Sequence, residues 1–128
     1  MPIIVGYTTK PEGEAALRHA VLEAQAHAES LVVLNIGWGV HPETSMARED
    51  DLDAVRRTLT EAGIEHQVRQ LVRGKEPAEE ICALADEVDA SLIVIGLRRR
   101  SPVGKLLLGS NAQQILLGAN CPVVAVKA

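Results

Sequence analysis

Between Ser91 and Asn111 the chain reads SLIVIGLRRRSPVGKLLLGSN, an apolar run joined to a second apolar pattern through a basic, glycine-containing stretch. Leu92, Ile93, Val94 and Ile95 are consecutive and mostly β-branched, which predicts a strand buried on both faces, as in a parallel sheet. Gly96 is expected to end that strand. Ser101-Pro102 signals a turn, and Gly109-Ser110-Asn111 then opens the pattern Ala112, Ile115, Leu116, Ala119. That spacing is one face of a helix. A glycine at a strand end and a Gly-Ser ahead of a helix offer free backbone N–H groups and a hydroxyl at the positive end of a helix dipole, an arrangement that favours phosphate.

The rest of the chain repeats the same alternation. Ile3–Val5 predicts a first strand, and Pro11-Glu12-Gly13-Glu14 enters a helix with the stripe Ala16, Leu17, Ala20, Val21, Ala24, Ala28. Residues 30–36 (SLVVLNI) read as a second strand, followed by Gly37-Trp38-Gly39 and a loop through His41-Pro42. A helix is expected from Met46 to Ala62 with Leu52, Val55, Leu59 and Ala62 inward, stopped by Gly63. Ile64–Val72 alternates in part and suits a strand nearer an edge. Gly74 turns the chain, Pro77 opens a helix with Ala78, Ile81, Cys82, Ala85 and Val88 buried, and Val123–Val126 closes the chain as a last strand. Five strands alternating with four helices, with connections long enough for right-handed crossovers, predict an α/β chain with an open, doubly wound, Rossmann-like parallel sheet. Ligands of such sheets bind beyond the carboxyl ends of the strands, where the strand order reverses.

Length and composition narrow the class further. The 128 residues suit one domain spanning 1–128. Apolar residues make up 47% of the chain but aromatics only 2%, without a single Phe, so the core must be aliphatic. A formal charge of −4 argues against nucleic-acid binding, and the basic residues gather only at Arg98–Arg100 and Lys105. Cys82 and Cys121 lack CxxC spacing and read as buried free thiols of a reducing compartment. The N-terminus runs directly into strand residues without a leader pattern. No apolar run approaches the roughly 20 residues of a membrane helix. A cytoplasmic protein without membrane contact is the expectation.

Two phosphate motifs are excluded. Gly6-Tyr7-Thr8-Thr9 after the first strand is not GxGxxG. Gly104-Lys105 is followed by Leu106 and preceded at the required spacing by Arg99, so it is not a Walker A loop. His19, His27, His41 and His66 are scattered without metal-ligand spacing, so no metal site is assigned. No nucleophile–base pair can be assembled, so no catalytic residue is assigned either. Glu43, Glu49, Asp50, Asp51 and Asp53 are explained by the favourable start of a helix.

Gly96, Gly109 and Ser110 match in type and spacing the loop of the universal stress proteins, whose ATP-binding members carry Gly-x2-Gly-x9-Gly followed by Ser or Thr. The segment VGKLLLGSNAQQILLGANCPVVAVKA also resembles that family's C-terminal half. The resemblance covers essentially the whole chain and implies the strand order 3-2-1-4-5, with the switch point between strands 1 and 4. It implies an adenine nucleotide, ATP first, as ligand, with Mg²⁺ and AMP left open. Gly96, Arg98, Arg99, Gly109, Ser110 and Asn111 correspond to the phosphate and ribose side, and Thr8 and Val40 to the adenosine side. Two positions depart from the pattern: Arg99 stands at the second glycine and Thr8 at the family's strand-1 Asp. A Cβ at Arg99 resists a left-handed backbone by about 1–2 kcal/mol, while a guanidinium there suits phosphate oxygens. Thr8 offers a single hydroxyl instead of a carboxylate.

An outermost Cys121–Val126 strand is an exposed apolar edge that pairing with a second chain removes, and stress proteins of this type commonly dimerise there. A homodimer through Val123, Val124 and Val126 follows from both grounds. The implied role is a nucleotide-binding stress-response sensor that signals to a protein partner not identified by the residues. Two other readings stay open: a dimeric interaction module of the same fold without nucleotide, and a slow ATP hydrolase.

Overall fold

The computed structural model describes residues 1–36, 46–71, 76–98 and 109–128. Its elements are β1 (Ile3–Tyr7), α1 (Pro11–His27), β2 (Leu31–Ile36), α2 (Glu49–Glu61), β3 (His66–Leu71), α3 (Pro77–Val88), β4 (Leu92–Leu97), α4 (Ser110–Gly118) and β5 (Val123–Lys127). The five strands form one sheet in the order β3-β2-β1-β4-β5, parallel throughout. The expected α/β architecture and strand order are therefore those observed.

Alternation of side chains along parallel strands produces two cores. Ile3, Val5, Tyr7, Leu31, Val33 and Val94 face α1 and α2. Ile4, Val32, Leu34, Ile36, Ile93, Ile95 and Leu97 face the side on which Ala78, Ile81 and Leu84 of α3 and Ala112 and Ile115 of α4 pack. The small, branched side chains suit this arrangement, because both layers are filled without a phenylalanine.

Several boundaries differ from the sequence pattern for local reasons. α2 begins at Glu49 rather than Met46, because Ala47 is buried and its N–H bonds the Asn35 side chain instead of entering a helix. The helical spacing predicts Leu116 on the inner face of α4, yet it is 39% exposed beside Leu117 at 88%, and Ala112 and Ile115 carry the packing. Ala28 is exposed, as the left-handed cap that ends α1. Cys82 and Cys121 are half-buried free thiols, not fully enclosed ones.

Gly96 brings the largest revision. It does not end β4 but pairs within it, opposite Val126. A Cβ built on Gly96 would collide with the backbone carbonyl of Glu12, and one on Gly13 would collide with the backbone of Thr8. These two glycines let the first turn of α1 lie directly on the ends of β1 and β4. Gly109 differs: its φ of −67° suits any residue, and a Cβ there meets nothing within 4 Å among the described residues. Gly96→Ala is accordingly expected to lower stability by about 1–3 kcal/mol, the usual range for forced overpacking. Gly109→Ala should shift the urea midpoint hardly at all. Chemical denaturation of the two variants beside the parent checks the contrast.

Candidate functional site

At the switch point the sheet separates. β1 and β4 are paired only through Ile3–Leu92, Ile4–Ile93 and Val5–Val94. Their outer partners continue further, to Tyr7–Asn35 on one side and Leu97–Lys127 on the other. A crevice thus opens beyond Val5 and Val94 at the carboxyl edge, the position at which doubly wound sheets take ligands.

The residues singled out by sequence flank this edge in different ways. Thr8 follows β1 and is 8% exposed. Its Oγ1 accepts the Lys10 N–H at 3.3 Å, so the hydroxyl closes the β1–α1 turn. Gly96 lies in β4 beneath Glu12, and its lack of a side chain already has a packing explanation. Arg98 is the first residue after β4 and is exposed. Gly109 is the N-cap of α4, and Ser110 and Asn111 are its first two helical residues. Val40 and Arg99 lie outside the described residues, as do Trp38 and His41.

Each helix follows a strand and returns antiparallel to it, so all four N-termini point toward the carboxyl edge. Their first turns are not alike. α1 carries Glu12 and Glu14, α2 carries Glu49, Asp50 and Asp51, and α3 carries Glu79 and Glu80. α4 has no acidic residue in its first turn, and its N-cap, Gly109, has no side chain with which to cap it. Of the four positive helix ends, that of α4 is the one without carboxylates in its own first turn.

On the other side of β1 a buried polar network organises the edge. Asn35 is fully buried. Its Nδ2 donates to the Tyr7 carbonyl at 2.8 Å, and its Oδ1 accepts the Ala47 N–H and Gln70 Nε2, both at 2.9 Å. Gln70 Nε2 also donates to the Ala47 carbonyl at 2.7 Å. One side chain therefore ties the ends of β1 and β3 to the residues that lead into α2. Sequence reasoning overlooked it; the signal was a single amide inside the apolar run LVVLNI, a polar group that burial obliges to find partners.

Tyr7 is nearly buried, and its hydroxyl donates to Glu14 Oε1 at 2.8 Å. Burial pushes the phenol well above its ordinary value, and the Glu14 carboxylate, then Asp51, push in the same direction. Of the described histidines, His19 and His27 both sit against Glu23, at 3.2 and 3.3 Å, and His66 Nδ1 lies 2.8 Å from the Ile64 carbonyl. No cluster of three or more metal-ligating side chains occurs among the described residues. None of the described helices is long and apolar enough to cross a membrane.

The sequence profile of the Universal stress protein family matches residues 1–127. The chain belongs to the universal stress protein family. A universal stress protein of Mycolicibacterium smegmatis is 42% identical over 126 residues, covering 98% of this chain and 96% of that one. Among solved structures, a universal stress protein from Archaeoglobus fulgidus superposes with a TM-score of 0.80 at 38% identity, covering 99% of this chain and 98% of that chain. A structure of the Archaeoglobus fulgidus universal stress protein in complex with dAMP matches at TM-score 0.65 and 33% identity, with coverages of 99% and 98%. This universal stress protein thus shares nearly its whole length with these relatives.

The Tyr7 geometry yields a direct expectation. A phenol held protonated in the folded state contributes stability that is fully present below the unfolded value of about 10 and is lost as pH rises above it. Tyr7 is the only tyrosine in the chain, so phenolate absorbance isolates it. In the native protein that absorbance should be absent at pH 10.5, roughly half a unit above the free phenol's value, and should emerge only with unfolding at higher pH. Ionisation near 10 with the fold intact would show that the Tyr7–Glu14 bond does not persist in solution.

Proposed function

We propose that this universal stress protein binds an adenine nucleotide across the β1–β4 crevice, with the phosphates on the first turn of α4. The observation that carries the reading is that α4 alone among the four helices presents an N-terminus without acidic residues, next to a strand-end crevice. Gly109, Ser110 and Asn111 supply backbone N–H groups and a hydroxyl there, and a phosphate oxygen is the ligand such a terminus favours. Arg98 adds an exposed positive charge at the end of β4. In this reading Gly96 helps indirectly, by letting α1 close one side of the crevice, and Thr8 shapes the β1 turn toward the adenosine. Val40 and Arg99 complete the proposed set by their place in the sequence. The dAMP complex of the Archaeoglobus fulgidus relative supports the ligand class. ATP is the proposed physiological nucleotide, and stress sensing through a nucleotide-dependent change of partner contacts is the proposed role. No hydrolytic role is proposed, because no positioned general base flanks the α4 terminus among the described residues.

Calorimetric titration with ATP and with AMP, on protein freed of any nucleotide carried through purification, tests the site. Parent protein should bind, and Gly109→Val should weaken binding more than tenfold with little change in the urea midpoint, since a Cβ there meets nothing within 4 Å among the described residues. Absence of any heat at millimolar ATP or AMP would favour the interaction module that has no nucleotide.

The same chain is proposed to act as a single-domain homodimer through β5. This strand is an outer one, and Val123, Val124, Ala125 and Val126 are all partly exposed. The opposite edge, β3, carries Gln67, Arg69 and Gln70 exposed instead. An apolar edge of this kind is protected by pairing, a charged one by itself. Val124→Lys should halve the mass measured by sedimentation without abolishing nucleotide binding. A parent protein that sediments as a monomer would remove the proposal.

A further inference from the structure

A second recess lies away from the crevice, on the sheet face that carries α1 and α2. Each helix packs on the sheet through its own stripe, Ala16, Leu17 and Ala20 in α1 and Leu52, Val55 and Leu59 in α2. Between them runs a cleft of about 470 Å³, within the range that holds small organic molecules. Its walls are chiefly Leu17, Val21 and Leu22 on one side and Ala54 and Val55 on the other. Leu22 stands on its rim, 63% exposed.

The polar groups of the cleft collect at one end. Tyr7 comes from the end of β1, Glu14 from the first turn of α1 and Asp51 from the first turn of α2. Both carboxylates are held by one bond each. Glu14 Oε1 accepts the Tyr7 hydroxyl at 2.8 Å, and Asp51 Oδ2 accepts the Arg48 N–H at 2.9 Å. The second oxygen of each keeps its acceptor capacity among the described residues. Thr58 also lines the cleft, but its hydroxyl donates to the Ala54 carbonyl at 3.0 Å. The one basic wall residue, Arg18, is exposed, so its charge is screened by solvent in a way that the half-buried carboxylates are not.

We propose that the α1–α2 cleft binds a small amphiphilic organic cation, its primary ammonium between the carboxylates of Glu14 and Asp51 and its apolar body on Leu17, Val21 and Val55. Charge complementarity selects this class. An organic anion would bring a third negative group to the same end, and a neutral amphiphile would cover both carboxylates without supplying an opposite charge. An ammonium supplies three N–H donors and the opposite charge. The cleft is built from residues apart from the α4 terminus, so the inference stands whether or not a nucleotide binds there.

Methyl-labelled protein observed by NMR during titration with hexylammonium, with hexanol and hexanoate as matched probes, tests it. Hexylammonium should shift the methyls of Leu17, Val21, Leu22 and Val55 and bind at least tenfold more tightly than hexanoate. Replacing both carboxylates, Glu14→Gln with Asp51→Asn, should erase that preference while leaving hexanol binding as it was. Both amides can still accept from Tyr7 and Arg48, so the fold is retained. Equal binding of the three probes, or no shift of these methyls, would overturn the proposal. So would methyl shifts that depend on protein concentration without any probe, which would assign the cleft to a second copy of the chain, or the same shifts with ATP, which would assign it to the nucleotide.

Discussion

How closely α1 can approach the sheet controls the carboxyl edge. The β1–β4 ladder stops after three residue pairs, and beyond it the backbone of α1 takes over as neighbour of both strands. That contact depends on the absence of two side chains, at Gly13 over Thr8 and at Gly96 under Glu12. The helix backbone occupies the seam on its own face, and α4 packs on the opposite face through Ala112 and Ile115. Beyond the ladder, the separated strand ends are flanked on one face by a helix that is itself anchored through backbone contacts.

Electrostatics then distinguishes regions that the fold alone leaves equivalent. Parallel topology aims four positive helix ends at one edge, and seven acidic residues in the first turns of α1, α2 and α3 offset three of them. The net charge of −4 is thus unevenly spent, with the α4 terminus and Arg98 left on the cationic side of the edge. Asn35 performs a complementary task, fixing the β1, β2 and β3 ends to one another through a single buried amide. Such a network is stable because the buried Asn35 amide finds protein partners in Tyr7, Ala47 and Gln70.

Much of this was legible in the residues. The continuous apolar runs around Val5, Val33 and Val94 announced strands buried on both faces, and the stripes Leu52, Val55, Leu59 and Ala78, Ile81, Ala85 announced the helices between them. Strand order was supplied by family resemblance, since periodicity carries no information about which strands are neighbours. What the pattern misjudged were residues whose role is set by distant chain. Gly96 looked like a strand end because nothing local reveals Glu12 lying over it. Leu116 satisfied the helical spacing, but nine residues of α4 bury only Ala112 and Ile115. The sequence pattern places Ala47 in a helix that Asn35, twelve positions earlier, prevents it from joining. At the candidate site, the residue types at Gly109, Ser110 and Asn111 pointed to a helix start, and that is where they lie; the three acid-bearing termini that make this start distinctive could be compared only once the fold set them side by side.

The two margins of the sheet are chemically unequal: β5 exposes valines in part, while β3 displays Gln67, Arg69 and Gln70. A sheet with two adhesive margins can add copies without limit, and that is the geometry of fibres. In the proposed dimer only the β5 margin is adhesive. Strand addition there is consumed after one partner joins, and the polar β3 margin would then act as a stop signal against polymerisation.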